Sequence, residues 1–440
     1  MKLRRAVILL AIPMVMEMIM ESLFALFDII FVSRLGAEAT AAVGITESLM
    51  TIIYSVGMGL AMATTGIVSR RIGEKKKKEA SVSAFQSIFL GILVSVPFFI
   101  SGSFFSKDIL RLMGASQGVI NNGSAYTAIM LGSNAIIMLL FINNAIFRSA
   151  GDAMVSMLVM IFANMINIVL DPCLIFGLGP FPELGVTGAG IATCTGRTLG
   201  VMMQFYVYSK KNRKISLNRQ AIRIDFKIIK RLLKLSMGGI GQFLIATTSW
   251  VGLYRIMTEF GDNVVAGYTV AIRIIIFSLL PAWGLSNAAS TLVGQNLGAK
   301  RSDRAEKSVW TISVINMLFL FVIGVVFYFA SNRIVNLITP VEQIREVGIL
   351  CLKILSFGYV FYALGMVTLQ AFNGAGDTYT PTLLNFICFW IIEIPLAYII
   401  SVQFGMHEKG VFLAIVIAES CLGILGLLSF RRGKWKLREV

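Results

Sequence analysis

One histidine, His407, serves all 440 residues, and charged side chains make up only 14% of them. A lone loop histidine excludes a His-built metal centre and any Ser-His-Asp or Cys-His nucleophile at membrane depth. The five cysteines (Cys173, Cys194, Cys351, Cys388 and Cys421) form no C-x-x-C pair. They read as small buried hydrophobes rather than as redox or zinc sites. No G-x-x-x-x-G-K-[ST] occurs; the nearest segment, Gly294-Gln295-Asn296-Leu297-Gly298-Ala299-Lys300, is wrongly spaced for a phosphate loop. The chain is therefore not read as an enzyme, and no cofactor is expected. Energy for any work must come from an ion gradient or from a separate subunit.

Apolar residues are abundant instead: 57% of the chain, with a mean hydropathy of +0.81. Soluble domains carry about 25% charged residues, so this composition belongs in a lipid bilayer. Apolar stretches of about 20 residues, each able to cross a hydrocarbon core, recur from about 7–32 to about 411–430. Their number predicts an all-α membrane protein with twelve transmembrane helices. The net charge of +16 does not point to nucleic acid, because it is sided. Lys and Arg between the predicted helices fall 29 on one side and 6 on the other. This asymmetry predicts a multi-pass protein of a bacterial-type plasma (inner) membrane with both termini cytoplasmic. The basic start Met1–Arg5 and the apolar run after it read as the first helix, since that run is too long and too acidic for a signal peptide.

The chain also reads as one unit written twice, with an offset of 225 residues. That offset pairs Leu35-Gly36 with Phe260-Gly261, Ala150-Gly151-Asp152 with Ala375-Gly376-Asp377, and Gly185-Val186 with Gly410-Val411. Six helices per copy is an even number, so the two copies run in the same direction, as parallel repeats about a pseudo-two-fold axis. The expected domains are a six-helix lobe over 1–208, a basic linker over 209–231 and a second six-helix lobe over 232–440. The linker reads as an amphipathic connector lying against anionic headgroups. Duplicated membrane units of this kind are how secondary transporters are built.

An ionisable side chain at bilayer depth costs at least about 2.5–3.5 kcal/mol, so it needs a partner, a wet cavity or a task. The first helix carries Glu17, Glu21 and Asp28 on one face, beyond Pro13, which can act as a hinge. The fifth carries Asn164, Asn167 and Asp171, and Pro172 deprives the Ile168 carbonyl of its helical donor. The sixth adds Thr193, Thr195 and Arg197. Asp28, Asn167, Asp171 and Thr193 offer hard oxygen ligands for an alkali cation or carboxylates for a proton. The same set also reads as a packing network in which Arg197 neutralises Asp171. At the 225 offset the second copy has Leu253, Ile392 and Leu396 where the first has Asp28, Asn167 and Asp171. That contrast favours a functional site in the first lobe, although Gln242, Arg255, Arg273 and Glu393 give the second lobe polar groups of its own.

Several segments together resemble the multidrug and toxic compound extrusion (MATE) family. They are Asp28-Ile-Ile-Phe-Val-Ser-Arg-Leu-Gly36, Asn167-Ile-Val-Leu-Asp171-Pro172, Gly294-Gln-Asn-Leu-Gly298-Ala and the twin Ala-Gly-Asp turns. The resemblance spans essentially the whole chain. It implies a V-shaped antiporter, alternating between outward and inward openings, that exports amphiphilic and mostly cationic organic compounds against H⁺ or Na⁺. It also implies a coupling-ion site at Asp28, Asn167, Asp171 and Thr193, with no metal beyond Na⁺. Glu17, Glu21, Asn164, Arg197 and Gln242 would support the site or the substrate chamber, with Pro13 and Pro172 as hinges. Arg197 and Ser33 depart from the family pattern, and Gln242 stands in the region where some members use a buried Glu. The expected partners are small organic cations and the bilayer, without nucleic acid, and the expected state is a monomer. The alternative is a flippase for a lipid-linked saccharide precursor, which would suit a cationic rather than an acidic interior.

Overall fold

The computed structural model describes residues 3–210, 214–217 and 220–438. Residues 211–213 and 218–219 of the expected linker, and the two residues at each end, lie outside the described part. Among the described residues there are helices and no strands. The first half comprises α1 (Leu3–Ser33), α2 (Ala37–Gly73), α3 (Lys77–Leu112), α4 (Gln117–Gly132), α5 (Asn134–Ser149), α6 (Ala153–Phe176) and α7 (Gly185–Ser209). The second comprises α8 (Phe226–Met257), α9 (Asp262–Gly298), α10 (Ser302–Asn336), α11 (Glu342–Ser356), α12 (Tyr359–Ala375), α13 (Tyr379–Asn385), α14 (Ile394–Tyr398) and α15 (His407–Arg431). These make twelve crossings in two six-helix lobes, because three spans are subdivided.

The fourth crossing is α4 and α5, bent by 40° at Ser133, and the tenth is α11 and α12, bent by 61°. Sequence periodicity reads each as one continuous run. The breaks fall at Gly132-Ser133 and Phe357-Gly358, where a small residue lets the helical ladder part. The eleventh crossing runs through α13 and α14 with two π-helical stretches, Phe386–Glu393 and Ile399–Gln403. By contrast α1 is uninterrupted through Pro13, and α6 through Pro172.

The repeat is visible in the backbone turns. Gly36 and Gly261 have φ of 96° and 101°, Lys75 and Lys300 of 63° and 57°, and Gly151 and Gly376 of 80° and 81°. Each pair stands at the 225 offset. The gapless register expected beyond that point does not hold. A π-turn winds an extra residue into the helix, so after it the second copy runs one residue ahead. Buried Asn167 and Asp171 therefore correspond to buried Glu393 and Ala397, not to Ile392 and Leu396. The loop before α15 is shorter than the one before α7, which moves the last helix the other way. Gly188 presses on the Leu174–Ile175 backbone as Gly410 presses on Ile400–Ser401, so Gly188, rather than Gly185, is the counterpart of Gly410. The buried rows agree: Ala189, Ala192, Gly196 and Gly200 on α7 match Val411, Ala414, Ala418 and Leu422 on α15. The rings do too, with Tyr208 against Phe147 at 4.6 Å and Phe430 against Phe372 at 6.2 Å. In this register Arg197 corresponds to Glu419.

The chain divides into two compact units, one over Met16–Ser236 and the other combining the chain up to Val15 with Met237 onward. This division differs from the expected boundaries at 208 and 231. The start of α1 goes with the second unit, where Gly284 of α9 leaves no room for a Cβ against the Met14 carbonyl, 2.6 Å away. The described part of the linker goes with the first. There Lys214 donates to the Ala150 carbonyl at 2.8 Å and pairs with Asp152 at 3.5 Å, and Ile215 and Ala221 are buried. The protein itself holds these residues. Arg438 meets Asp377 at 3.4 Å in the second unit, beside the fully buried Trp435.

Candidate functional site

The polar cluster around Asp171 and Arg197 in the first unit draws on α1, α2, α6 and α7, and two of these helices can approach closely because α7 is lined with small residues. At Gly196 an added Cβ would lie 2.6 Å from the Ala163 carbonyl of α6. That close approach brings Thr193 against Asn167. The Asn167 amide donates to Thr193 Oγ1 at 3.1 Å and to Asp171 Oδ1, one turn further on, at 3.4 Å. Asp171 is 0% exposed, and neither its Oδ2 nor the Asn167 Oδ1 has a hydrogen-bond partner. Two buried oxygens without donors leave acceptor capacity that a cation or a proton can satisfy.

Asp28 of α1 is half-buried and within electrostatic reach of Asp171. It makes no hydrogen bond to Asn167, Asp171 or Thr193 among the described contacts, so three of the four expected ion-site residues touch and the fourth stands nearby. Asn164 donates to the Met20 carbonyl at 3.1 Å and so ties α6 to α1.

Arg197 does not neutralise Asp171. Its guanidinium pairs with the Tyr54 hydroxyl, feels Glu21, Glu47 and Asp28, and lies 5.5 Å from the centre of the Phe24 ring. Glu47 and Tyr54 are the residues that sequence reasoning passed over. Their signal was an acid and a tyrosine seven residues apart, on one helical face of a mostly apolar second run. With Glu47, Glu21 and Asp28 around it, Arg197 is surrounded by acids, and Asp171 keeps its free oxygen.

The acidic stripe on α1 is not one site. Glu17 is 2% exposed and accepts from Arg148 at 3.0 Å and Asn144 at 3.1 Å. Asn144 in turn accepts from Gln204 at 2.8 Å, Gln204 from Asn143 at 3.0 Å and Asn143 from Tyr208 at 3.2 Å. Glu17 thus anchors a structural network rather than a chamber. Gln242 belongs to the second unit. Its amide exchanges hydrogen bonds with Asn373 at 3.0 and 3.1 Å and donates to the Thr378 carbonyl at 3.2 Å, a clamp between α8 and the end of α12. Among the described residues, no three His, Cys, Asp or Glu side chains gather as a metal-ligand set.

A family described as MatE matches residues 13–173 and 241–399 of this chain. The Probable multidrug resistance protein NorM of Thermotoga maritima is 26% identical over 440 residues, covering 100% of this chain and 94% of that protein. Two solved structures share the fold at 26% identity. The crystal structure of MATE in the straight conformation gives a TM-score of 0.93 and covers 100% of this chain and 98% of that one. The crystal structure of MATE in the bent conformation gives 0.91 and covers 99% and 97%.

Proposed function

The chain belongs to the MatE family of membrane transporters, and from that premise we propose that it exports amphiphilic organic cations against an inward flow of H⁺ or Na⁺. The observation that carries this reading is the fully buried Asp171, whose Oδ2 has no donor although it lies beside the Asn167–Thr193 pair. Glu17 also has a buried oxygen without a donor, but it is paired with Arg148, whereas Asp171 has no ion-pair partner among the described residues. On this reading the coupling ion loads among Asp28, Asn167, Asp171 and Thr193. Asn167 orients Asp171, and Arg197 stays with Glu21, Glu47 and Tyr54, where it offsets surplus negative charge without occupying the ion's place.

Asp28 and Asp171, ionised and empty, repel one another across the α1–α6 boundary. A bound ion removes that repulsion and lets α1 move toward α6. The region around Pro13 suits a hinge, because the two compact units divide α1 only two residues later, at Val15. Straight and bent conformations of a fold neighbour support such an exchange in this architecture. A ligand shifts this equilibrium only through its different affinity for the two shapes, so a coupling of about 1–3 kcal/mol is expected. The reading also takes both termini as cytoplasmic and the working unit as a monomer.

The test is efflux of a fluorescent organic cation from proteoliposomes under an imposed proton or sodium gradient. Export driven by either gradient, and lost in Asp171→Asn, is the expected result. Export that ignores both gradients, or that persists unchanged in Asp171→Asn, overturns it.

A further inference from the structure

The corrected register changes how the second unit reads. A partly open cavity of about 60 Å³ lies between α8, α9, α12, the π-turn of the eleventh crossing and α15, all within the second unit. Its walls stand at the positions that build the polar cluster of the first unit. Leu253 takes the place of Asp28, Ile272 that of Glu47, and Leu279 that of Tyr54. After the register shifts, Glu393 stands at the position of Asn167 and Glu419 at that of Arg197. The acids of the first two helices are gone, and acids have appeared on the last two. The basic residue has been replaced by its opposite.

We propose that this cavity is a second cation site, for a small organic ammonium ion held between Glu393 and Glu419 against the rings of Trp250, Tyr268, Tyr359 and Tyr362. Glu393 is 2% exposed, lines the cavity and has an Oε2 with no hydrogen-bond partner; Glu419 Oε2 is likewise buried and unpartnered. The two carboxylates lie within electrostatic reach of one another, and no Lys or Arg lines the cavity among the described residues. Two acids with free buried oxygens and no counter-charge either take up protons or face a cation. The remaining wall decides which kind. It is aliphatic and aromatic, with few oxygens to replace the water shell of a metal ion, whereas aromatic faces attract alkylammonium groups directly. The site does not depend on ion coupling in the first unit.

Tetramethylammonium is the probe, titrated by calorimetry into the full-length protein in detergent. The parent chain binds it, and Glu393→Gln and Glu419→Gln each weaken binding by about tenfold or more. Asp28→Asn and Asp171→Asn leave the affinity within about twofold, so failure of this site and failure of the first-unit reading are told apart. A second readout leaves the carboxylates untouched: tetramethylammonium changes the tryptophan fluorescence of the parent, and Trp250→Phe removes that change. The proposal is overturned if the parent does not bind the probe or if folded Gln variants bind it as the parent does. It is equally overturned if the fluorescence change survives in Trp250→Phe.

Discussion

Arg148 donates to Glu17 at 3.0 Å across the α1–α5 contact, an ion pair whose acid is 2% exposed. Three sequence-equivalent acids on one helix face therefore divide in use: Glu17 goes to Arg148, Glu21 faces Arg197, and Asp28 faces both Arg197 and Asp171.

Removing one partner of the buried pair strands the other. Arg148→Ala is expected to lower stability by about 3 kcal/mol, and the double variant Arg148→Ala, Glu17→Gln to recover part of that loss. Thermal unfolding in detergent measures it. Equal melting temperatures for parent and Arg148→Ala would show that the pair contributes nothing.

Asp28→Asn and Asp171→Asn should each abolish gradient-driven efflux while inserting and folding as the parent does. Each removes a charge from the ion site with little change in volume. Glu38→Gln, at an exposed contact with Asn122, serves as the control and should export at the parental rate. Parental efflux by either Asp variant would remove these residues from the coupling site.

Arg197→Gln leaves Glu21 and Glu47 without their cation and should destabilise the first lobe. Adding Glu47→Gln should restore part of the loss, because the two positions are coupled, by about 0.5–3 kcal/mol in a double-mutant cycle. Strict additivity of the two single effects would show that Arg197 and Glu47 act independently.

Pro13→Ala should favour the straight form of α1, lowering turnover while keeping or raising cargo affinity. Reciprocity requires that saturating cargo weaken ion binding by the factor by which the ion weakens cargo binding. Dye affinity measured across pH and Na⁺ concentration decides the matter; an affinity independent of both would rule out this coupling.

The 29-to-6 division of basic residues sets a topology that labelling can check. In a cysteine-free background, a membrane-impermeant reagent added to intact cells should label Lys409→Cys and leave Lys300→Cys unlabelled. The reverse pattern would invert the protein.

Much of this was legible in the chain itself. Composition and the recurrence of apolar runs determined a twelve-crossing bundle, since a hydrocarbon core demands about 20 apolar residues per pass whatever the fold. The duplication was equally plain, because Leu35-Gly36 and Ala150-Gly151-Asp152 recur 225 residues later as Phe260-Gly261 and Ala375-Gly376-Asp377. Intramembrane Asn167, Asp171 and Thr193 stood out by cost alone, and they do touch. Tertiary structure decided which charges meet. Periodicity put Glu17 and Asp28 on one stripe, but the partners that separate them, Arg148 on α5 and Arg197 on α7, come from helices far along the chain. It also decided the register of the second lobe. A π-turn and a shortened loop leave no sequence signature, yet together they place Glu393 and Glu419 where the first lobe has Asn167 and Arg197. Hydropathy fixes how many helices cross, because burial in lipid is a property of each segment. The rotation of each helix depends on its neighbours, and that rotation determines which side chains share a cavity.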